Sequence, residues 1–166
     1  MDKTTLFVGY NLEHTFNEIF AFRQNLRYST VNLDVHDAVR GEGLQPDLRT
    51  LNRAVYDITD FADNFQVDNQ GLAVFDAGPV RNEVLVGFDY LWTKNKFSMD
   101  FGFAPPIDIY NPVYGQPFDT PAPLQDTLQK QNQFGLYAQD QIFFKGFVLT
   151  LTGRQDWVDI STRDLL

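Results

Sequence analysis

The chain has 166 residues, 43% of them apolar, and a formal net charge of −9; this length holds one domain without forcing a second, and the apolar share is too high for disorder. The acidic balance argues against a nucleic-acid partner, which needs a basic surface, and against polybasic docking on acidic lipids. With no cysteine there is no disulfide staple, no Cys-based zinc site and no cysteine nucleophile.

Sixteen Phe, seven Tyr and two Trp, mixed with uncharged polar residues, favour strands. Six stretches alternate with a period of two and are read as strands with one apolar and one polar face. In residues 5–13, Leu6, Val8, Tyr10 and Leu12 share a face, opposite Gly9, Asn11 and Glu13. In 20–29, Phe20, Phe22, Leu26 and Tyr28 oppose Arg23, Asn25, Arg27 and Ser29. Residues 65–75 alternate more weakly, with Phe65, Val67, Ala73 and Phe75 opposite Gln66, Asp68 and Gln70. In 82–93, Val84, Val86, Phe88, Tyr90 and Trp92 lie on one side. The phase of 133–144 is ambiguous, because Leu136, Ala138 and Ile142 share their side with Asp140. In 147–160, Phe147, Leu149, Leu151 and Trp157 oppose Thr150, Thr152, Arg154 and Asp156.

The connections are short around Asn17-Glu18, Ala77-Gly78-Pro79 and Lys145-Gly146, and long over 30–63 and 94–132. Alternating short and long connections are the rhythm of outer-membrane barrels. That rhythm makes the second, fourth and sixth strands run outward, toward Tyr28, Tyr90 with Trp92, and Trp157, as an aromatic girdle at the outer interface requires. Phe147 to Trp157 covers roughly 33 Å of strand at ~3.3 Å per residue, or about 25 Å of height when tilted by ~40°, which matches the apolar band of such barrels. The competing reading of the alternation is a soluble sandwich whose aromatic faces meet in a core. Leu51, Val55, Ile58 and Ala62 have helical spacing, so a short helix is expected within the first long connection. No run approaches the roughly 18 apolar residues of a spanning helix, and residues 1–4 begin no signal peptide.

Particular residues also resemble a known family. The run Gly9-Tyr10-Asn11-Leu12-Glu13-His14 leads into Phe22-Arg23-Gln24-Asn25-Leu26-Arg27-Tyr28; Gly87-Phe88-Asp89-Tyr90, Tyr110-Asn111-Pro112-Val113, Gly135-Leu136-Tyr137-Ala138-Gln139-Asp140-Gln141 and Gly153-Arg154-Gln155-Asp156-Trp157 follow. In order and spacing these pieces resemble TonB-dependent outer-membrane siderophore receptors of the ferrichrome type, with one departure at Gln155, where relatives usually carry Tyr. The resemblance implies an all-β segment of about six antiparallel up-and-down strands, part of a 22-stranded transmembrane barrel plugged by an N-terminal domain. It further implies an iron chelate bound in an external vestibule, import driven by TonB through the plug, and contact with outer-membrane lipid. Residues 1–166 show neither plug nor TonB box, and they end at Leu165-Leu166 without the aromatic residue typical of barrel ends, so an internal barrel fragment is expected. An open six-strand sheet has two unpaired edges and should transport nothing alone. A passive porin-type segment and a small soluble β-sheet ligand-binding module are the alternatives.

No G-x-S-x-G, Walker A or H-E-x-x-H motif is present, so neither an enzyme nor a cofactor is expected. His14 and His36 lie on different elements and are not expected to share a metal. The acidic run Asp57, Asp60, Asp63 and Asp68 lacks calcium-loop spacing and reads as solvated. Ligand contact is expected from the second long connection, which holds six of the eight prolines and the candidates Phe101, Phe103, Tyr110 and Tyr114. Proline lowers the ordering cost of a loop, and a chelated iron needs aromatic walls and hydrogen-bond donors, not metal ligands. The resemblance places an aromatic group at Phe101 and Phe103 and suggests a hydroxamate-type ferric siderophore. In the first connection it leads to His36, Asp37, Arg40 and Glu42, in place of the Tyr residues relatives often carry there. Arg23, Arg27, Asp68, Asp89, Arg154 and Asp156 are expected on the lumen wall, paired with one another or with a plug.

Overall fold

Each of the six alternating stretches forms a strand, and each strand pairs antiparallel with its neighbour in sequence, giving one sheet in the order β1-β2-β3-β4-β5-β6. The computed structural model describes residues 1–166, with β1 (Asp2–Thr15), β2 (Phe20–Leu44), β3 (Thr50–Ala77), β4 (Val80–Asp108), β5 (Ala122–Phe144) and β6 (Phe147–Asp164). Tight turns at one end fix the register. Asn17 accepts hydrogen bonds from the backbone N–H groups of Ile19 (2.9 Å) and Phe20 (2.8 Å). Gly78 supplies the positive φ of 66° that opens a two-residue turn before Pro79. Lys145 and Gly146 both have positive φ, 47° and 83°, the backbone of a type I′ hairpin.

The register joins the apolar positions into rows that cross the whole sheet. Tyr10, Leu26, Val67, Tyr90, Phe134 and Trp157 form one row, and Tyr28, Phe65 and Trp92 lie in the next. Phe88 and Phe134, and Phe134 and Trp157, pack ring on ring at 6.2 and 5.8 Å. Toward the tight turns lies the row His14, Phe22, Gly71, Val86, Ala138 and Gly153. The ambiguous phase of β5 is thereby settled: Leu136, Ala138 and Ile142 join this apolar face and carry Asp140 with them, opposite Val84 and Leu151. Polar groups on the apolar face satisfy one another. The Tyr10 hydroxyl donates to Gln24, whose amide donates to Asn69.

Nothing in the chain covers that face. Only 8 of 166 residues are buried, and Val86, Leu151 and Phe147 keep 54%, 53% and 78% of their surface. A soluble sandwich would bury those side chains against a second layer. Here there is none.

The opposite face is polar and internally bonded, as expected for a lumen wall. Arg154 pairs with Asp89 (2.7 Å) and Asp156 (2.6 Å), and Arg23 with Glu13 (3.1 Å). Asp68 accepts from the Tyr137 hydroxyl (2.5 Å) and from Gln70 (2.8 Å), while the Arg27 guanidinium lies 5.8 Å from the Phe7 ring centroid. Two glycines make room for this cluster: a methyl at Gly87 would overlap the Tyr137 ring, and one at Gly135 would overlap the Arg154 guanidinium.

The two long connections are mostly strand, which corrects the expectation of loops over 30–63 and 94–132. β2, β3 and β4 run for 25, 28 and 29 residues, and only 45–49 and 109–121 are irregular. Backbone pairing continues there without the alternating pattern, because beyond the girdle water meets both faces and polar residues are allowed on each. The expected helix is likewise absent. Leu51, Val55, Ile58 and Ala62 lie in β3, where the period of two puts Leu51 and Val55 on one face and Ile58 and Ala62 on the other. Pairing on both sides outweighs a four-residue periodicity. Residue pairs slip between Val35 and Ala38, where Asp37 bulges with φ 52° and its N–H donates to Asp57 (2.6 Å). The fully buried Val55 and Ala54, with Ala104 and Ile107, gather at this distal end.

Gly87→Ala is expected to destabilise the full-length protein by about 1–3 kcal/mol, because the Tyr137 ring must move. Gly153→Ala meets open space and should change stability by less than about 0.5 kcal/mol. Urea unfolding in lipid vesicles checks both; equal effects would remove the packing role of Gly87.

Candidate ligand site

Beyond the girdle, the polar face of the sheet continues as an aromatic wall. Phe101 and Phe103 alternate with Gly102 on β4, so both project to the side that carries Asp89 nearer the turns. Register places Tyr56 of β3 opposite Phe101 and Ala54 opposite Phe103. The rings meet edge to face, Tyr56 to Phe101 at 5.3 Å and Phe101 to Phe103 at 5.2 Å between centroids. The bulge at Asp37 shifts the phase of β2, which brings Ala38 and Arg40 opposite Tyr56 and Ala54 on the same side. Arg40 then lies over the Tyr56 ring (5.2 Å) and pairs with Glu42 (3.0 Å), which also accepts from the Tyr56 hydroxyl (3.0 Å). Phe103 remains 77% exposed, so the wall has an open aromatic surface beside a charged pair.

The four candidates read from the sequence do not form one cluster. Phe101 and Phe103 stand together on strand, not on a loop. Tyr110 and Tyr114 lie in the 109–121 connection, both 76% exposed. Tyr110 is held near the Arg49 guanidinium (6.0 Å). Tyr114 lines a hollow with Val39, Leu51, Arg53 and Ile107, residues whose pairing puts them on the other side of the sheet from Phe101. The residue the sequence reading passed over is Tyr56. It lies within 30–63, the segment read as lacking such a Tyr, and the signal that finds it is pairing with Phe101, which needs the register. Of the other residues from that segment, Arg40 and Glu42 join the wall, Asp37 forms the bulge, and His36 pairs with Asp34 (2.9 Å). His14 packs on Phe16 (4.6 Å) at the opposite end of the sheet. Strand alternation divides the acidic run of β3 between faces: Asp60 receives Asn95 (2.6 Å) on one, Asp63 receives Tyr28 (3.0 Å) on the other.

The distal end is braced by two carboxylates, well beyond the girdle. Asp47 closes the β2–β3 connection by accepting from the Thr50 hydroxyl (2.6 Å) and from the backbone N–H groups of Thr50 (2.9 Å) and Arg49 (3.0 Å). Asp108 accepts from Arg49 (2.6 Å) and from the N–H of Tyr110 (2.9 Å), tying that tip to the start of the 109–121 connection. The Thr50 side-chain bond chiefly holds the Asp47 carboxyl below the usual range, and the Arg49 bond chiefly does so for Asp108.

A single-layer antiparallel wall, apolar and uncovered on one side and polar and ion-paired on the other, is a section of a transmembrane barrel. The chain matches the family model described as TonB dependent receptor-like, beta-barrel, over residues 1–166, and it belongs to that family. It is 33% identical over 165 residues to the ferrioxamine B receptor of Salmonella typhimurium, covering 99% of this chain and 23% of that protein. It is 31% identical over 177 residues to the ferrichrome outer membrane transporter/phage receptor of Escherichia coli K12, covering 92% of this chain and 24% of that one. The chain thus spans about a quarter of the length of the curated relatives it matches. Among solved structures, the fold is shared with BauA, the ferric preacinetobactin receptor of Acinetobacter baumannii, at TM-score 0.74 and 18% identity over 96% of this chain and 25% of that one. It is shared equally with FpvA of P. aeruginosa, at TM-score 0.74 and 20% identity over 98% and 22%.

Because both folded-state pKa values are depressed, the bracing by Asp47 and Asp108 is present above the ordinary carboxylate pKa of about 4 and is lost as pH falls below it. Amide hydrogen exchange, corrected for intrinsic rates, should show protection at Thr50 and Tyr110 falling between about pH 4 and the lowered values. Asp108→Asn should abolish the change at Tyr110 but keep it at Thr50. Protection that stays constant through this range would exclude the carboxylates as braces.

Proposed function

We propose that this chain is part of the barrel wall of an outer-membrane receptor that imports ferric siderophores, with hydroxamate chelates as the favoured class and TonB-coupled energy delivered through a plug. The observation that carries the reading is the edge-to-face group of Tyr56, Phe101 and Phe103 on the inner face of the distal wall. A ferric chelate presents an organic shell around an already coordinated iron, and rigid aromatic surface binds such a shell without competing for the metal. Arg40 and Glu42 add a donor and an acceptor beside the rings. The names of the similar proteins, two ferrioxamine receptors and a ferrichrome transporter, support the hydroxamate class. The barrel reading has its own support in the uncovered apolar face, which suits hydrocarbon and outer-membrane lipid. Tyr110 is assigned to the rim of the proposed vestibule beside Arg49, and Tyr114, which lines a hollow on the other side of the sheet from Phe101, is left out of the proposed contacts.

In the full-length protein, Phe101→Ala is expected to weaken ferric hydroxamate binding roughly tenfold, a loss of about 1.4 kcal/mol, with barrel assembly unchanged. Fluorescence quenching titrated with ferrioxamine and ferrichrome measures it; unchanged affinity for both removes Phe101 from the site. Val86→Arg, on the apolar face, is expected to cost about 2–4 kcal/mol when hydrocarbon covers that position. Gln139→Arg on the polar face should cost less than about 0.5 kcal/mol. Equal costs in vesicle-folding titrations would argue against a lipid-facing surface at Val86.

A further inference from the structure

One arginine of the polar wall stands without a counter-charge. On that face Arg23, Arg40, Arg81 and Arg154 each hold a carboxylate. Arg27 holds none, and its guanidinium rests near the Phe7 ring, 5.8 Å from the centroid. Register sets it between Gly9 of β1 and Gln66 of β3, with Asn11 and Asn25 in the next row of that face toward the tight turns. These residues line a hollow of about 640 Å³ that opens into the lumen, a size within the range of small-molecule sites. Gly9 keeps its floor clear, because a side chain there would overlap the backbone carbonyl of Leu26. Asp68 lies at the lower edge but is already engaged, accepting from Tyr137 and Gln70.

The chemistry of this hollow is lopsided. Arg27, Asn11, Asn25 and Gln66 offer N–H donors, whereas elsewhere on the face donors and acceptors are joined to one another, as in Arg154–Asp156 and Gln133–Asp156. A ligand that fits is therefore rich in acceptor oxygens, with organic surface for the exposed Phe7 ring. It carries little net charge, since the Arg27 cation and the Asp68 carboxylate offset each other around the hollow. A ferric hydroxamate chelate has this character: its hydroxamate anions balance the ferric charge, and their oxygens gather on an organic shell. We propose that the hollow around Arg27 is a second holding site for the ferric chelate, on the lumen wall below the aromatic group. Tyr56 and Gln66 lie on the same side of β3, separated by roughly 33 Å of strand at ~3.3 Å per residue. The two are thus separate stations on one wall. A chelate that leaves the rings is caught by Arg27 and the amides instead of returning outward. The inference rests on the receptor reading and adds where the cargo goes next.

The test uses the full-length receptor in the outer membrane of energised cells, with ferrioxamine as the chelate. A Ser29→Cys variant carries a fluorophore at the rim of the hollow, opposite Phe7, where a ferric chelate held by Arg27 quenches it. In this parent the dye should quench during import. Adding Arg27→Gln should reduce that occupancy roughly tenfold and lower the maximal import rate. Surface affinity in de-energised cells, and the urea midpoint of the purified protein without chelate, should stay at the parent values. Arg27→Lys should restore part of the quenching. Should Arg27→Gln fail to accumulate, Asn11→Ala/Gln66→Ala keeps the arginine, removes two amides and should reduce quenching in the same direction. Undiminished quenching and import in these variants, with surface binding intact, would overturn the holding site and leave the receptor reading standing. A lowered urea midpoint with quenching retained would make Arg27 a structural tie and overturn the site equally. Failure of the parent itself to bind the chelate at the surface would sink the receptor reading, and the holding site with it.

Discussion

The constraint on which everything else depends is that a strand has two faces and a register that assigns them. Every backbone group between the girdle and the tight turns must find its partner in a neighbouring strand, since hydrocarbon offers none. Pairing alone is indifferent to phase, and a slip of one residue would turn the Phe and Val rows inward and the Arg154–Asp89–Asp156 cluster outward. The turns at Gly78-Pro79 and Lys145-Gly146 fix that phase locally, with positive φ values that leave only two residues between strands. From that one choice follow the uncovered apolar surface, the bonded polar wall and the direction in which the distal aromatics point.

The parts of this fold legible in the sequence are those on which two solvents act. Between Phe20 and Tyr28, or Val84 and Trp92, one side meets hydrocarbon and the other water, so selection writes an alternation that can be read directly. Past Tyr28 and Trp92 the contrast ends. β2 continues to Leu44 and β4 to Asp108, yet their sequences resemble loops because water tolerates polar residues on both faces. The same loss of contrast explains the helix expectation at Leu51, Val55, Ile58 and Ala62: four apolar residues suggested a stripe, but in β3 they are divided by the pleat.

The candidate site was half legible for a related reason. Phe101 and Phe103 stand out as an aromatic pair two residues apart, but their partner Tyr56 is 45 residues away and is brought to Phe101 only by hairpin register. Arg40 reaches the same side through a bulge, and no propensity announces that Asp37 will take φ 52°. Tyr110 and Tyr114 were drawn to the site by chain proximity to Phe103. The route of 109–121 instead seats Tyr114 over Leu51 and Ile107, behind the wall.

The glycine hollows under Tyr137 and Arg154 have a consequence for assembly. A slip of two residues between β4 and β5 would keep grease outside and polarity inside, so face chemistry alone cannot forbid it. It would, however, set the Tyr137 ring against Leu85 or Asp89 in place of Gly87. The notch therefore works like the detent of a sliding scale: the ring drops home at one setting only, and the errors that hydrophobicity would forgive are rejected by shape.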